Sequence, residues 1–71
     1  MEINMEAINQ LLENRFDGNQ AKMARVLKIS RYQLNTIISN NGKKAGKKFI
    51  AAILKYCDAN EIDFHKYIFL R

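Results

Sequence analysis

Apolar residues recur along this chain with a helical period. Ile8, Leu11, Leu12 and Phe16 fall at i, i+3, i+4 and i+8, with Met5 and Ala7 nearby, against Glu6, Glu13 and Asn14. Such a stripe predicts a first helix over residues 4–17. Asp17-Gly18 ends it, because glycine readily takes the left-handed conformation just past a helix. Asn19 is the cap of a second helix, opened by Gln20 and carrying Met23, Ala24 and Leu27 on its inner face. Ile29 follows in a tight turn. Ser30 is then an N-cap with Gln33 three residues later, the form of a capping box, and starts a third helix from Arg31 to about Ser39 with Leu34, Ile37 and Ile38 turned inward.

Asn40-Asn41-Gly42 breaks the third helix through residues that tolerate or prefer positive φ. A fourth helix is predicted from Lys47 to Ala59, with Phe49, Ile50, Ile53, Leu54 and Cys57 on one stripe and Tyr56 off it. Residues 62–70 predict a short fifth helix capped by Asp63, with Ile62 and Tyr67 at the staple positions around the cap. This last segment is too apolar for its length. Phe64, Tyr67, Ile68, Phe69 and Leu70 cannot all face one small core, and surplus apolar surface marks a protein interface. The expectation is one all-α domain spanning residues 1–71.

The stretch Asn19 to Asn40 carries a family resemblance. With Gln20 opening its first helix, Ala24 four residues on, Leu34 and Ile37 inside its second, and Ser39-Asn40-Asn41-Gly42 after it, it resembles the helix-turn-helix of the lambda-repressor/Cro (XRE) family. Ala24 matters most, because helices that cross steeply need a short side chain at closest approach. Lys28 departs from the pattern, since the family usually has glycine in that turn. A left-handed lysine there costs roughly 1–2 kcal/mol. The resemblance covers residues 4–70. It implies a compact five-helix lambda-repressor-like DNA-binding domain with the helix-turn-helix at helices 2 and 3, and a sequence-specific transcriptional regulator such as a small bacterial or phage repressor. It also implies that Gln20 touches the DNA backbone and braces the recognition helix, and that the last helix builds a homodimer through Tyr67, Ile68, Phe69 and Leu70.

Charge sharpens this picture. The net charge is +5, yet residues 1–18 sum to −3, residues 49–71 to zero, and residues 19–48 to +8 with no acidic residue. A surface that needed only solubility would mix signs, so this segregation points to a polyanion. The outward positions of the third helix, Arg31, Tyr32, Gln33, Asn35 and Thr36, are the base-reading candidates: arginine pairs with guanine, glutamine and asparagine with adenine, and the Tyr32 ring and Thr36 methyl can meet a thymine methyl or a sugar. Recognition helices read with their N-terminal residues, which ranks Arg31 first, because Gln33 has a competing task in the capping box. The phosphate-contacting candidates are Gln20, Lys22, Ser39, Asn41, Lys43, Lys44, Lys47 and Lys48. They position the protein without reading sequence.

Other classes are disfavoured. At 71 residues the chain holds one small, marginal core, for which association is a common remedy. A single cysteine, Cys57, excludes an internal disulfide and a cysteine-based zinc site, and is read as a small buried hydrophobe. His65 is the one histidine and has no second ligand partner. No phosphate loop, metal cluster or carboxylate pair is visible, so the expectation is no enzyme and no cofactor. No secretion signal and no membrane-length apolar run occur, and the expected location is the cytoplasm. The expected partner is double-stranded DNA bearing an inverted repeat. The alternative is a helix-turn-helix protein that acts by protein contact, such as an antirepressor or modulator that binds a phage repressor.

Overall fold

Short polar side chains start the first three helices. Asn4 Oδ1 accepts from the Ala7 amide at 3.3 Å, Asn19 Oδ1 from Lys22 at 3.1 Å and Ser30 Oγ from Gln33 at 2.9 Å. Each cap holds an extended backbone and satisfies one of the orphan N–H groups of the first turn. The computed structural model, which describes residues 2–43 and 45–69, accordingly places β1 at Glu2–Ile3, α1 at Met5–Phe16, α2 at Gln20–Leu27, α3 at Arg31–Ser39 and α4 at Lys47–Ala59. A single 3-10 turn, Phe64–Lys66, and β2 at Ile68–Phe69 complete it.

α2 lies at the centre and packs against α1, α3 and α4. Its Met23, Ala24 and Leu27 join Ile8, Phe16, Leu34, Ile37, Phe49 and Ile53 in one continuous buried cluster. The apolar stripes of all four helices converge on this cluster, and no polar or charged side chain among the described residues is buried with them. Phe16 and Tyr56 carry it to one edge, their ring centroids 6.1 Å apart. Cys57 is buried in the cluster, where desolvation, with the Asp63 charge adding, pushes its thiol pKa up.

The fold is mostly helical, but it has four α-helices among the described residues and not five. The expected fifth helix is one 3-10 turn. Asp63 does cap it, accepting from the His65 amide at 3.0 Å, and Lys66 and Tyr67 then bond back to Asp63 and Phe64. Beyond Tyr67 the backbone extends. The Asn4 amide donates to the Tyr67 carbonyl at 2.8 Å, and β2 pairs antiparallel with β1 in the register Ile3↔Ile68 and Glu2↔Phe69. A strand alternates its faces, so Ile68 points in at 1% exposure and Phe69 points out at 43%. Much of the apolar surplus of the C-terminal segment is thereby absorbed inside one chain.

This corrects the expected dimer surface. Tyr67 and Ile68 are core residues of the protomer, Phe69 is exposed, and Leu70 lies outside the described residues. Ile68→Ala is therefore expected to destabilise the folded protomer by about 2–5 kcal/mol. Urea unfolding should show the loss equally across protein concentrations; a loss that vanished on dilution would return Ile68 to an interface. The Asp63 carboxylate also has a consequence. It accepts from the His65 backbone amide and from His65 Nδ1 at 2.8 Å, and these bonds, the backbone one first, hold its pKa below the usual carboxylate range. A lowered folded-state pKa stabilises above the unfolded value, about 3.9, and that contribution is lost as pH falls through the folded value. Asp63→Asn should accordingly flatten the stability slope of the protein below about pH 4, as read by urea unfolding across a pH series.

Candidate nucleic-acid interface

The turn between α2 and α3 is built on a left-handed lysine. Lys28 has φ 60° and ψ 39°, and its N–H is directed at the carbonyls of Ala24 and Arg25. The next amide, Ile29, donates to Ala24 at 3.0 Å, so two successive N–H groups satisfy the carbonyls that the last turn of α2 leaves open. Ile29 is half-buried against the core, and Ser30 is extended and caps α3. Three residues thus reverse the chain. Ala24, only 2% exposed, gives α3 room to pack close to α2.

A polar chain links the two helices on their outer side. The Asn35 side-chain nitrogen donates to Gln20 Oε1 at 3.2 Å, and Ser39 Oγ donates to Asn35 Oδ1 at 3.3 Å. Residues assigned to two different tasks, Gln20 and Ser39 to phosphates and Asn35 to bases, here form one network. Gln20 thereby ties α3 to the start of α2. Asn35 thus uses one amide N–H and one carbonyl lone pair within the protein and stays exposed.

The other expected base readers divide. Arg31 and Tyr32 stand fully outward at the N-terminus of α3, Tyr32 at 82% exposure. Thr36 is half-buried, and its carbonyl accepts from the Asn40 side chain at 2.7 Å. Gln33 is half-buried and turned toward a cleft beside α4, not straight outward. Its amide makes the capping bond to Ser30, but among the described residues no return bond runs from its side chain to the Ser30 amide. Lys22 is exposed in the first turn of α2. Asn41, left-handed at φ 53°, and Lys43 are exposed in the connection to α4, and Lys47 and Lys48 are exposed in the first turn of α4. Lys44 lies outside the described residues.

Electrostatics set this surface apart. Lys22, Arg25, Lys28, Arg31, Lys43, Lys47 and Lys48 are all exposed, and among the described residues none has a carboxylate within ion-pair distance; the acid–base contact seen there is Asp63 with His65. α1 has Glu6 in its first turn, but α2, α3 and α4 start without an acidic residue. α4 goes further, with Lys47 and Lys48 at its start and a glycine, Gly46, that offers no side-chain cap. Cations at the positive end of a helix dipole are unfavourable until an anion covers them. Such a surface can hold phosphates through lysines and helix N-termini together.

Sequence reasoning missed the cleft that receives Gln33. Its walls include Val26 and Ile29 on one side and Ala51, Lys55 and Ala59 of α4 on the other. The available signal was Val26, an apolar residue off the inner stripe of α2. No helix among the described residues is long and apolar enough to cross a membrane. No family model, curated protein or solved structure matches the chain.

If Lys28 holds strain at its positive φ, glycine should relieve it. Lys28→Gly is expected to stabilise the fold by about 0.5–1 kcal/mol, the left-handed penalty less the added entropy of an unfolded glycine. Chemical denaturation checks this, and a loss of stability would mean that the lysine stem contributes more than its backbone costs.

Proposed function

We propose that the protein is a sequence-specific double-stranded DNA-binding regulator, a small repressor of the lambda-repressor/Cro type that reads the major groove with α3. The observation that carries the proposal is the run of unpaired, exposed cations on and around α2, α3 and the start of α4. It coincides with a tight, braced helix-turn-helix and with three helix starts free of acidic residues. In this reading α2 and the connection to α4 sit on the phosphate backbone through Lys22, Lys43, Lys47, Lys48 and the N-terminus of α2. α3 enters the groove N-terminus first, with Arg31 and Tyr32 leading. Asn35 holds α3 in register against Gln20.

The mechanism is positional. Two copies on an inverted repeat place their α3 helices in successive major grooves, about 34 Å apart. Bound there, they block other proteins from the same stretch of DNA. Among the described residues of the expected dimer surface Phe69 is the exposed one, so dimer contacts draw on it and on surfaces other than Tyr67 and Ile68.

In vitro selection from randomised duplexes at near-physiological salt tests this, with enrichment of an inverted repeat as the expected outcome. On the selected site Arg31→Ala should cost about 1–3 kcal/mol and relax preference at one base pair, while Lys47→Ala should weaken selected and random DNA alike. Affinity should fall with salt at a log–log slope of roughly −0.9 per phosphate contact. Equal losses on both DNAs for Arg31→Ala would remove it from base reading.

A further inference from the structure

A cleft of about 650 Å³ lies where the end of α2 and the following turn face the outer side of α4. Its apolar lining includes Val26, Ile29, Ala51 and Ala59, beside the polar Ser30, Gln33 and Asn60. Val26 is 46% exposed, one of three large apolar side chains among the described residues left so open. Lys28, Lys48 and Lys55 also line it, and no acidic residue does. Along α4 the lining residues Lys48, Ala51, Lys55 and Ala59 follow one helix face over about three turns, roughly 16 Å.

We propose that this cleft is a docking groove for an acidic amphipathic helix of a partner protein. Short alanine side chains let a second helix approach α4 closely, its apolar residues cover Val26 and Ile29, and its flanking carboxylates meet the three lysines. The charge and the floor select this occupant together. Nucleic acid satisfies the lysines but leaves the apolar floor unfilled. A second copy of this chain has an acidic helix, α1, whose Glu6 and Glu13 are exposed, but its Met5, Ile8, Leu11, Leu12 and Phe16 are buried in its own core and unavailable to the groove. Lys48 belongs both to this cleft and to the phosphate-facing set of the proposed function. On the proposed function, to which this one point is tied, an occupant of the cleft therefore competes with DNA.

The test uses the full chain, ¹⁵N-labelled, and a fluorescent peptide of roughly 18 residues, designed as a helix with leucines on one face and glutamates flanking them. The expected result is saturable binding, with amide shifts centred on Val26, Ala51 and Ala59. Ala51→Glu, at an exposed helical position, and Lys55→Glu should each weaken binding by about tenfold, Lys22→Glu should not, and circular dichroism confirms that all three are folded. A scrambled peptide of the same composition that binds equally well, shifts centred on the outer face of α3, or absence of binding would each overturn the proposal. Titration of the same variants with a selected duplex keeps the two readings apart. Peptide binding without duplex binding removes the DNA function and leaves the groove, and the reverse removes the groove alone.

Discussion

The direction in which α3 leaves α2 depends on one backbone conformation, the left-handed Lys28. Because its N–H and that of Ile29 both turn back on the Ala24 carbonyl, α2 ends within a single residue and the chain reverses without a loop. Ile29 is then delivered to the core and Ser30 to the cap of α3. Leu34 and Ile37 reach the cluster around Met23 and Leu27 only along that path. Any allowed right-handed conformation at position 28 would continue α2 by a turn and swing Leu34 away from the core. The strain at Lys28, about 1–2 kcal/mol, is outweighed by the burial it permits, since Leu34 and Ile37 are both buried and each buried aliphatic side chain is worth about 1.5–3 kcal/mol.

Where helix limits were set by local chemistry, they were legible in the sequence. Ser30 and Asn19 act on their own first turns, so the starts of α2 and α3 needed no tertiary information, and α3 and α4 run over the expected residues. The first helix came out a residue shorter at each end, because Asn4 and Asp17 are its caps. The C-terminal segment was misread for a physical reason. Tyr67, Ile68 and Phe69 are too few to separate a period of two from one of 3.6, and the strand that extends them, Glu2–Ile3, lies at the other end of the chain. Pattern reasoning sees periodicity within a segment; it does not see a hydrogen-bonding partner more than sixty residues away.

The candidate site divides along the same line. That Arg31 and Tyr32 face outward follows from the core stripe of α3, which is local. That Asn35 bonds Gln20 as well as Ser39 follows from how α2 and α3 are rotated against each other, and periodicity carries no such information. Gln33 is the sharper case. Its place on the helix is outward, but α4 stands beside the N-terminal turn of α3 and converts an outward position into the wall of a cleft.

The charge distribution works against the isolated fold. Seven described cations lie exposed on and around three elements without a paired carboxylate, and α4 opens with two lysines on an uncapped N-terminus. Each of these choices weakens a domain that is small enough to be marginal. A few glutamates in the first turns of α2, α3 and α4 would have relieved the repulsion, and the N-terminal segment shows that the chain uses acidic residues freely where it has them, at Glu6, Glu13 and Asp17. On the proposed reading the arrangement is explained by what lies outside the chain: an anion brought to this face relieves the repulsion and covers the helix dipoles at once. A duplex does so over the whole face, whereas an acidic helix in the cleft reaches only Lys28, Lys48 and Lys55. Because Lys48 stands in both sets, each ligand removes part of what attracts the other. The same electrostatic excess that favours DNA on the proposed reading thus supplies the means of displacing it.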